Sequence, residues 1–378
     1  MKIDTQLVHI GVRSDKVTGS VSSPIYQVAT FQHPGLGEST GFDYSRTINP
    51  TRKVLEGAIS RLEGGVLGFA FASGMAAITT VLALFKAGDR ILISDDLYGG
   101  TYRLFNQVFS RFGLSADFVD TSNLSAIAEG ITPSARAIFV ETPTNPLMKI
   151  SDIRAISGLA KRHSLLTIVD NTFMTPYLQN PLDLGADITI HSATKFLGGH
   201  NDLLAGTVVV KDEVLGEQLH FLQNSIGAVL GPWDCWLLMR GLKTLGLRLE
   251  KQQQNAARIA SWLSVQPYVR RVYFPGLSSH PGHAINRSQA RGHGAMLSFE
   301  VDSFERVKNM LRRVKIILFA ESLGGVETLV TLPATQTHSD IPEEVRLRLG
   351  ITDRLLRLSV GIEDADDLIA DLDQALAT

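Results

Sequence analysis

Six short runs of apolar, often β-branched residues limit what this chain can become more than any other feature. They are VLGFAFA (66–72), RILISD (90–95), RAIFVET (136–142), LLTIVDN (165–171), ADITIHS (186–192) and GTVVV (206–210). Their apolarity is continuous rather than alternating, which fits strands buried on both faces. Helical patterns such as NPTRKVLEGAISRLEG (49–64) and SGMAAITTVLALFKAG (73–88) lie between them. Strand and helix in alternation imply crossover units and a mostly parallel sheet covered on both sides, an α/β fold.

At 378 residues the chain exceeds one ordinary core. The pattern divides it into an arm (1–56), a large α/β domain (57–240) and a small α+β domain (241–378). The arm has little helical period, yet Tyr26, Phe31, Phe42 and Tyr44 are too many aromatics for disorder. It is expected to rest on another subunit. A long helical pattern over 233–265 leads into the small domain, whose expected strands are RRVYF (270–274), AMLSFEV (295–301), KIILFA (315–320) and LLRLSV (355–360). A net charge of −2 gives no support for nucleic-acid binding. No window approaches a membrane span and no secretory signal is visible, so a cytoplasmic, soluble protein is expected. The single Cys235 forms no internal disulfide and reads as a small buried apolar residue.

The ends of the runs carry the chemistry. FASGMAA (71–77) passes from strand through small residues into a helix, whose unpaired N–H groups favour an anion. Taken alone, it reads rather as a tight turn with no ligand. Asp170 ends one apolar run, where a carboxylate is costly without a cation, a donor or a metal. Ser192, Thr194 and Lys195 end the next, in HSATKFLGG (191–199), and a lysine framed by hydroxyls and glycines looks less like a solvated face than a site. Tyr98 in DDLYGGTYR (95–103) stands where an aromatic could stack on a planar ligand. A phosphate site, a carboxylate, a lysine and an aromatic plate together suit pyridoxal 5′-phosphate. That cofactor needs a lysine for its Schiff base and an acid to keep its ring nitrogen protonated. The glycines after Lys195 would let the chain pass close to the cofactor.

The motifs YSRTINPTR (44–52), SGMAA (73–77), LYGGTYR (97–103), ETPTNP (141–146), VDNTF (169–173), HSATKFLGGH (191–200), AESLGGVE (320–327), THSDIP (337–342) and RLSVGIED (357–364) resemble the Cys/Met-metabolism group of pyridoxal-phosphate enzymes. The group contains cystathionine γ-lyases, γ-synthases and β-lyases, methionine γ-lyases and acylhomoserine sulfhydrylases. The resemblance implies fold type I, with a mostly parallel seven-stranded sheet in the large domain. It implies that Lys195 carries the cofactor and shuttles protons, that Asp170 partners the ring nitrogen, and that Tyr98 stacks on the ring. Gly74, Met75, Ser192 and Thr194 would hold the phosphate. Tyr44 and Arg46 would reach the phosphate of a neighbouring subunit, in a homotetramer built as a dimer of dimers. Asn145, Ser322 and Arg357 resemble the groups that orient the substrate α-carboxylate, Arg357 through two parallel hydrogen bonds. Ile48 and Gln336 depart from the group's pattern, which puts fine specificity in question.

Gly100 stands where methionine γ-lyases place a cysteine. Glu321 resembles the acidic residue of cystathionine γ-lyases and γ-synthases, where many β-lyases have an aromatic. It could receive the distal ammonium of cystathionine, and Arg103 the distal carboxylate; the plainer reading pairs Glu321 with a neighbouring arginine. The expectation is a cystathionine lyase active in transsulfuration, with γ- and some β-elimination. A γ-synthase, a β-lyase or a cofactor-binding regulator on the same fold are the alternatives. HPGH (280–283) with His293 reads as a structural loop, since metal sites need a fuller ligand set.

Overall fold

The structure, a computed structural model, describes residues 1–377. The large sheet holds β1 (Leu67–Phe71), β2 (Arg90–Ser94), β3 (Ser115–Val119), β4 (Ala135–Glu141), β5 (Leu166–Asp170), β6 (Ile188–Ser192) and β7 (Gly206–Val210). Their order is β1-β7-β6-β5-β4-β2-β3. The pairings from β6 to β3 are parallel, whereas β7 runs antiparallel to both β6 and β1. All six runs of the sequence become strands. β3 is the addition: SADFV mixes polar and apolar residues at a sheet edge, so it lacks the continuous apolarity that betrays the others.

The helices that matter for the site are α1 (Pro50–Glu63), α2 (Gly74–Leu82), α3 (Ile153–Arg162), α4 (Glu213–Ile226), α5 (Pro232–Leu242), α6 (Leu245–Leu263), α7 (Phe304–Arg313) and α8 (Ala365–Leu376). α1 begins at Pro50, where the missing N–H costs nothing, with the Asn49 side chain accepting from the N–H groups of Thr51 and Arg52. It ends at Gly64 in the left-handed region (φ 73°). Loss of the Asn49 cap would cost about 1 kcal/mol. One face of the sheet, with Val140, Val169 and Val209, packs on α1, α3 and α5. The other, with Phe139, Ile168 and Ile190, packs on α2 and α4. This two-sided burial is what made the strands legible.

The segment 233–265 is two helices, not one. α5 and α6 part at Lys243 and Thr244, where Thr244 leaves helical geometry (φ −108°, ψ 7°). Gly241 sits so close to Gly198 that an added Cβ would come within 2.3 Å of the Gly198 carbonyl oxygen. The break lets α5 lie against the Lys195 loop while α6 turns away to support a second sheet. That sheet, ordered β10-β11-β12-β9-β8, comprises β8 (Val269–Tyr273), β9 (Met296–Val301), β10 (Leu318–Phe319), β11 (Leu329–Thr331) and β12 (Leu355–Ser359). Its core includes Phe299, Val330 and Leu358, under α6, α7 and α8. β11, three residues long, was too short to stand out in the sequence.

Candidate active site

β4, β5 and β6 run parallel, so their carboxyl ends open on one edge of the sheet, where open α/β sheets bind ligands. A cleft of about 350 Å³ lies there. Its walls include Gly74, Met75, Tyr98, Asn145, Asp170, Ser192, Thr194, Lys195, Glu321, Ser322 and Arg357. Eleven of the residues singled out in the sequence thus converge from separate elements.

The floor is set by strand alternation. Asp170 and Ser192 end β5 and β6 with side chains on the α2 face. The Ser73 side chain accepts from Ala76 N–H at 3.1 Å and starts α2, leaving the N–H groups of Gly74 and Met75 without intrahelical partners. A Cβ on Gly74 would fall 2.8 Å from Ser192 Cβ, so only glycine lets the helix start come this near. The result is a cradle of N–H groups and a hydroxyl suited to a phosphate.

Lys195 Nζ donates to Ser322 Oγ at 2.6 Å. Burial, reinforced by the charge of Arg357 and opposed by Glu321, lowers its pKa to about 8. Ser322 is held in the left-handed region (φ 85°), unusual for a residue with a side chain. Two residues on, Gly324 (φ 83°) carries the loop over Lys195, where a Cβ would lie 2.5 Å from Phe196 N.

Arg357 is buried on β12. Nη1 donates to Asn145 Oδ1 at 2.8 Å, and Nη2 donates to Ser322 O at 3.1 Å and Thr331 Oγ1 at 3.2 Å. Its Nε has no partner. Burial lowers its pKa to about 10, so it stays cationic at neutral pH. His338, pushed down to about 4 by burial, is neutral and contacts the Asn145 carbonyl through Nε2 at 2.8 Å.

The sequence reading passed over Glu141 and Thr172. Glu141 ends β4 directly beside Asp170 in the register, and accepts from Tyr98 N–H at 3.1 Å. Burial and the neighbouring Asp170 raise its pKa well above the usual range. Asp170 is also raised by burial, against hydrogen bonds from Thr172 and the field of His191. Neither of these adjacent carboxyls has a lysine or arginine in ion-pair contact among the described residues, which suits a cation between the walls. Glu141 closes an apolar strand as Asp170 does, so the argument that found one would have found both.

Three of the singled-out residues lie outside this chain's own cleft, two of them expected at a neighbouring subunit's. Tyr44 and Arg46 are not among the described residues lining the cleft. Arg46 instead donates to Asn224 O at 2.7 Å and stacks beside Tyr44. Arg103 is paired with Asp340 rather than turned into the cleft. The glycines after Lys195 also serve another purpose. A Cβ on Gly199 would strike the Arg248 guanidinium at 2.0 Å, and that buried side chain donates to Phe196 O and Gly241 O. Gly199 admits an internal brace, not a ligand. In the HPGH loop, His280 Nδ1 accepts from Gly282 N–H and His283 Nδ1 contacts Pro275 O.

The profile of the Cys/Met metabolism PLP-dependent enzymes matches residues 4–377. The chain belongs to that family. It is an enzyme dependent on pyridoxal phosphate (PLP) for carbon–sulfur chemistry. A cystathionine gamma-lyase of Bacillus subtilis is 54% identical, covering 100% of this chain and 99% of its own. The cystathionine gamma-synthase/O-acetylhomoserine (thiol)-lyase of the same organism is 56% identical (99% and 96%), and a cystathionine beta-lyase of Lactococcus lactis 52% (99% and 98%). The crystal structure of cystathionine gamma-lyase from Lactobacillus plantarum complexed with L-serine superposes with a TM-score of 0.98, at 49% identity, covering 100% of this chain and 99% of that one.

Proposed function

We propose that this enzyme is a cystathionine lyase that cleaves mainly by γ-elimination, giving cysteine, 2-oxobutanoate and ammonia, with some β-elimination. The supporting observation is Glu321. It lines the cleft beside Lys195, and no lysine, arginine or histidine among the described residues comes within 4.0 Å of its carboxylate. The plainer reading, in which it pairs with a neighbouring arginine, therefore loses ground. An unpaired carboxylate there suits the distal ammonium of cystathionine.

The cradle fits PLP: Gly74, Met75, Ser192 and Thr194 toward the phosphate, Asp170 toward the ring nitrogen, Tyr98 toward the ring face and Lys195 toward the aldehyde. When bound, PLP supplies a sink for the electrons left at the substrate Cα. Arg357 holds the substrate α-carboxylate, its buried Nε–H still free to donate, while Asn145 and Ser322 fix the guanidinium in place. Lys195 Nζ, once free, takes the Cα proton, and Ser322 Oγ steers it. In this reading the Tyr98 hydroxyl exchanges a proton with the leaving sulfur. Tyr44 and Arg46, exposed on the arm, would complete the phosphate site of a second copy in a homo-oligomer.

Product identification tests the reading. With cystathionine, 2-oxobutanoate is expected in excess over pyruvate; pyruvate in excess would make the enzyme a β-lyase. The 56% identity to a γ-synthase gives weight to a second reading, in which cystathionine forms from an O-acylhomoserine and cysteine faster than it is cleaved.

A further inference from the structure

Two motif residues have no part in the reaction above: Asn171 of VDNTF and His191 of HSATKFLGG. Both are fully buried. Alternation along β6 turns His191 to the face opposite Ser192, beneath the cleft. There its Nε2 meets Glu63 Oε1 at 2.5 Å. Glu63, the last residue of α1, is itself fully buried, and His191 is its one ion-pair partner among the described residues. Asn171 Nδ2 donates to the same Glu63 oxygen at 3.2 Å and to Gln179 O at 2.9 Å, and Gln179 Nε2 donates back to Asn171 Oδ1 at 3.0 Å. The backbone joins the same strands, since Asn171 N–H donates to Ile190 O at 2.9 Å.

A carboxylate and an imidazole closed off from water are a poor way to stabilise a fold, because well-packed apolar residues do as well or better. Here Glu63 Oε2 and His191 Nδ1 even lack protein partners. Their neighbours explain the arrangement better. Asn171 directly follows Asp170, and Lys195 comes four residues after His191. The imidazole also lies near enough for its charge to favour the ionised form of Asp170.

We propose that Glu63, His191 and Asn171 are positioning residues: from beneath the sheet they lock the ends of β5 and β6 together and set the charge behind Asp170. Asp170 and Lys195 are thereby presented to the cofactor in fixed relation. The proposal rests on the roles given above to those two residues.

The test uses the holoenzyme and the variants Glu63→Gln and His191→Gln. Glutamine at 191 can keep a donor toward Glu63 but cannot carry charge. In both variants borohydride should still fix the cofactor to Lys195. At fixed pH the visible absorption band should change relative to wild type. kcat should fall about tenfold while KM moves less than about twofold, as when an outer partner of a functional group is lost. Because the pair acts as a unit, the double variant should be no worse than the worse single. Wild-type spectra and kcat in both variants, or losses that add in the double variant, would overturn the proposal. If Glu63→Gln does not fold, Glu63→Asp carries the test: a changed band and lowered kcat support the network, and wild-type values for both overturn it. A wild-type enzyme with no adduct at Lys195 would instead remove the underlying reading, and the proposal with it.

Discussion

The floor of the cleft and the N-terminal arm are built on opposite principles. On the floor, Lys195, Ser322, Arg357 and Asn145 hold one another through hydrogen bonds of 2.6–3.1 Å within one chain. On the arm, Tyr44 is 47% exposed and Leu36 fully so, while the buried Arg52 anchors the segment's end by donating to Ser45 O and Arg46 O. Such exposed aromatics leave apolar surface uncovered within the single chain, and in the reading proposed above a second copy covers it. The floor shows what a chain does alone; the arm shows where it stops.

Breaking the floor should have the largest effect. Lys195→Ala is expected to lose about a thousandfold or more in kcat, because the amine both carries the cofactor and moves the proton. Keto-acid release from cystathionine measures it, and near-normal turnover would end the assignment. Arg46→Ala sharpens the contrast. It should weaken cofactor retention, and mixing it with Lys195→Ala chains should restore about a quarter of native sites, since each interface then pairs an intact lysine with an intact arginine half of the time. If mixing restores nothing, Arg46 serves its own chain.

Smaller effects test the wall. Glu321→Ala should lower kcat/KM for cystathionine about tenfold, with less change for a substrate lacking the distal ammonium, as expected for a lost charge-assisted contact. Equal losses on both substrates would deny Glu321 a role in binding. The gentlest probe is pH. A lysine must be neutral to attack the cofactor aldehyde, and Lys195 is lowered from the usual 10.5 to about 8. The neutral fraction therefore grows as pH rises through 8, and cofactor uptake by the apoenzyme should accelerate with a midpoint there. A midpoint near 10.5 would mean that the amine is not desolvated as the structure has it.

The strands of the floor were legible because burial on both faces leaves no alternation to misread, and strand-end residues were legible as residues in unfavourable places. The hinge at Lys243 and Thr244 was not, since a helical pattern continues across it and the break shows only in the non-helical backbone of Thr244. The glycines after Lys195 misled as well. Their spacing suggests room for a ligand, while the room at Gly199 is taken by Arg248 arriving from a helix some 50 residues away. Arg103 was read toward the substrate because a sequence has no means of showing Asp340 beside it.

The sequence by itself determined the α/β architecture and the strand ends, because these follow from local polarity and period. Which groups face each other was decided only by tertiary structure. Hydrogen bonds such as Lys195 to Ser322, Arg357 to Asn145 and His191 to Glu63 span 127, 212 and 128 residues. No periodicity reaches that far; the packing of two sheets and their helices does.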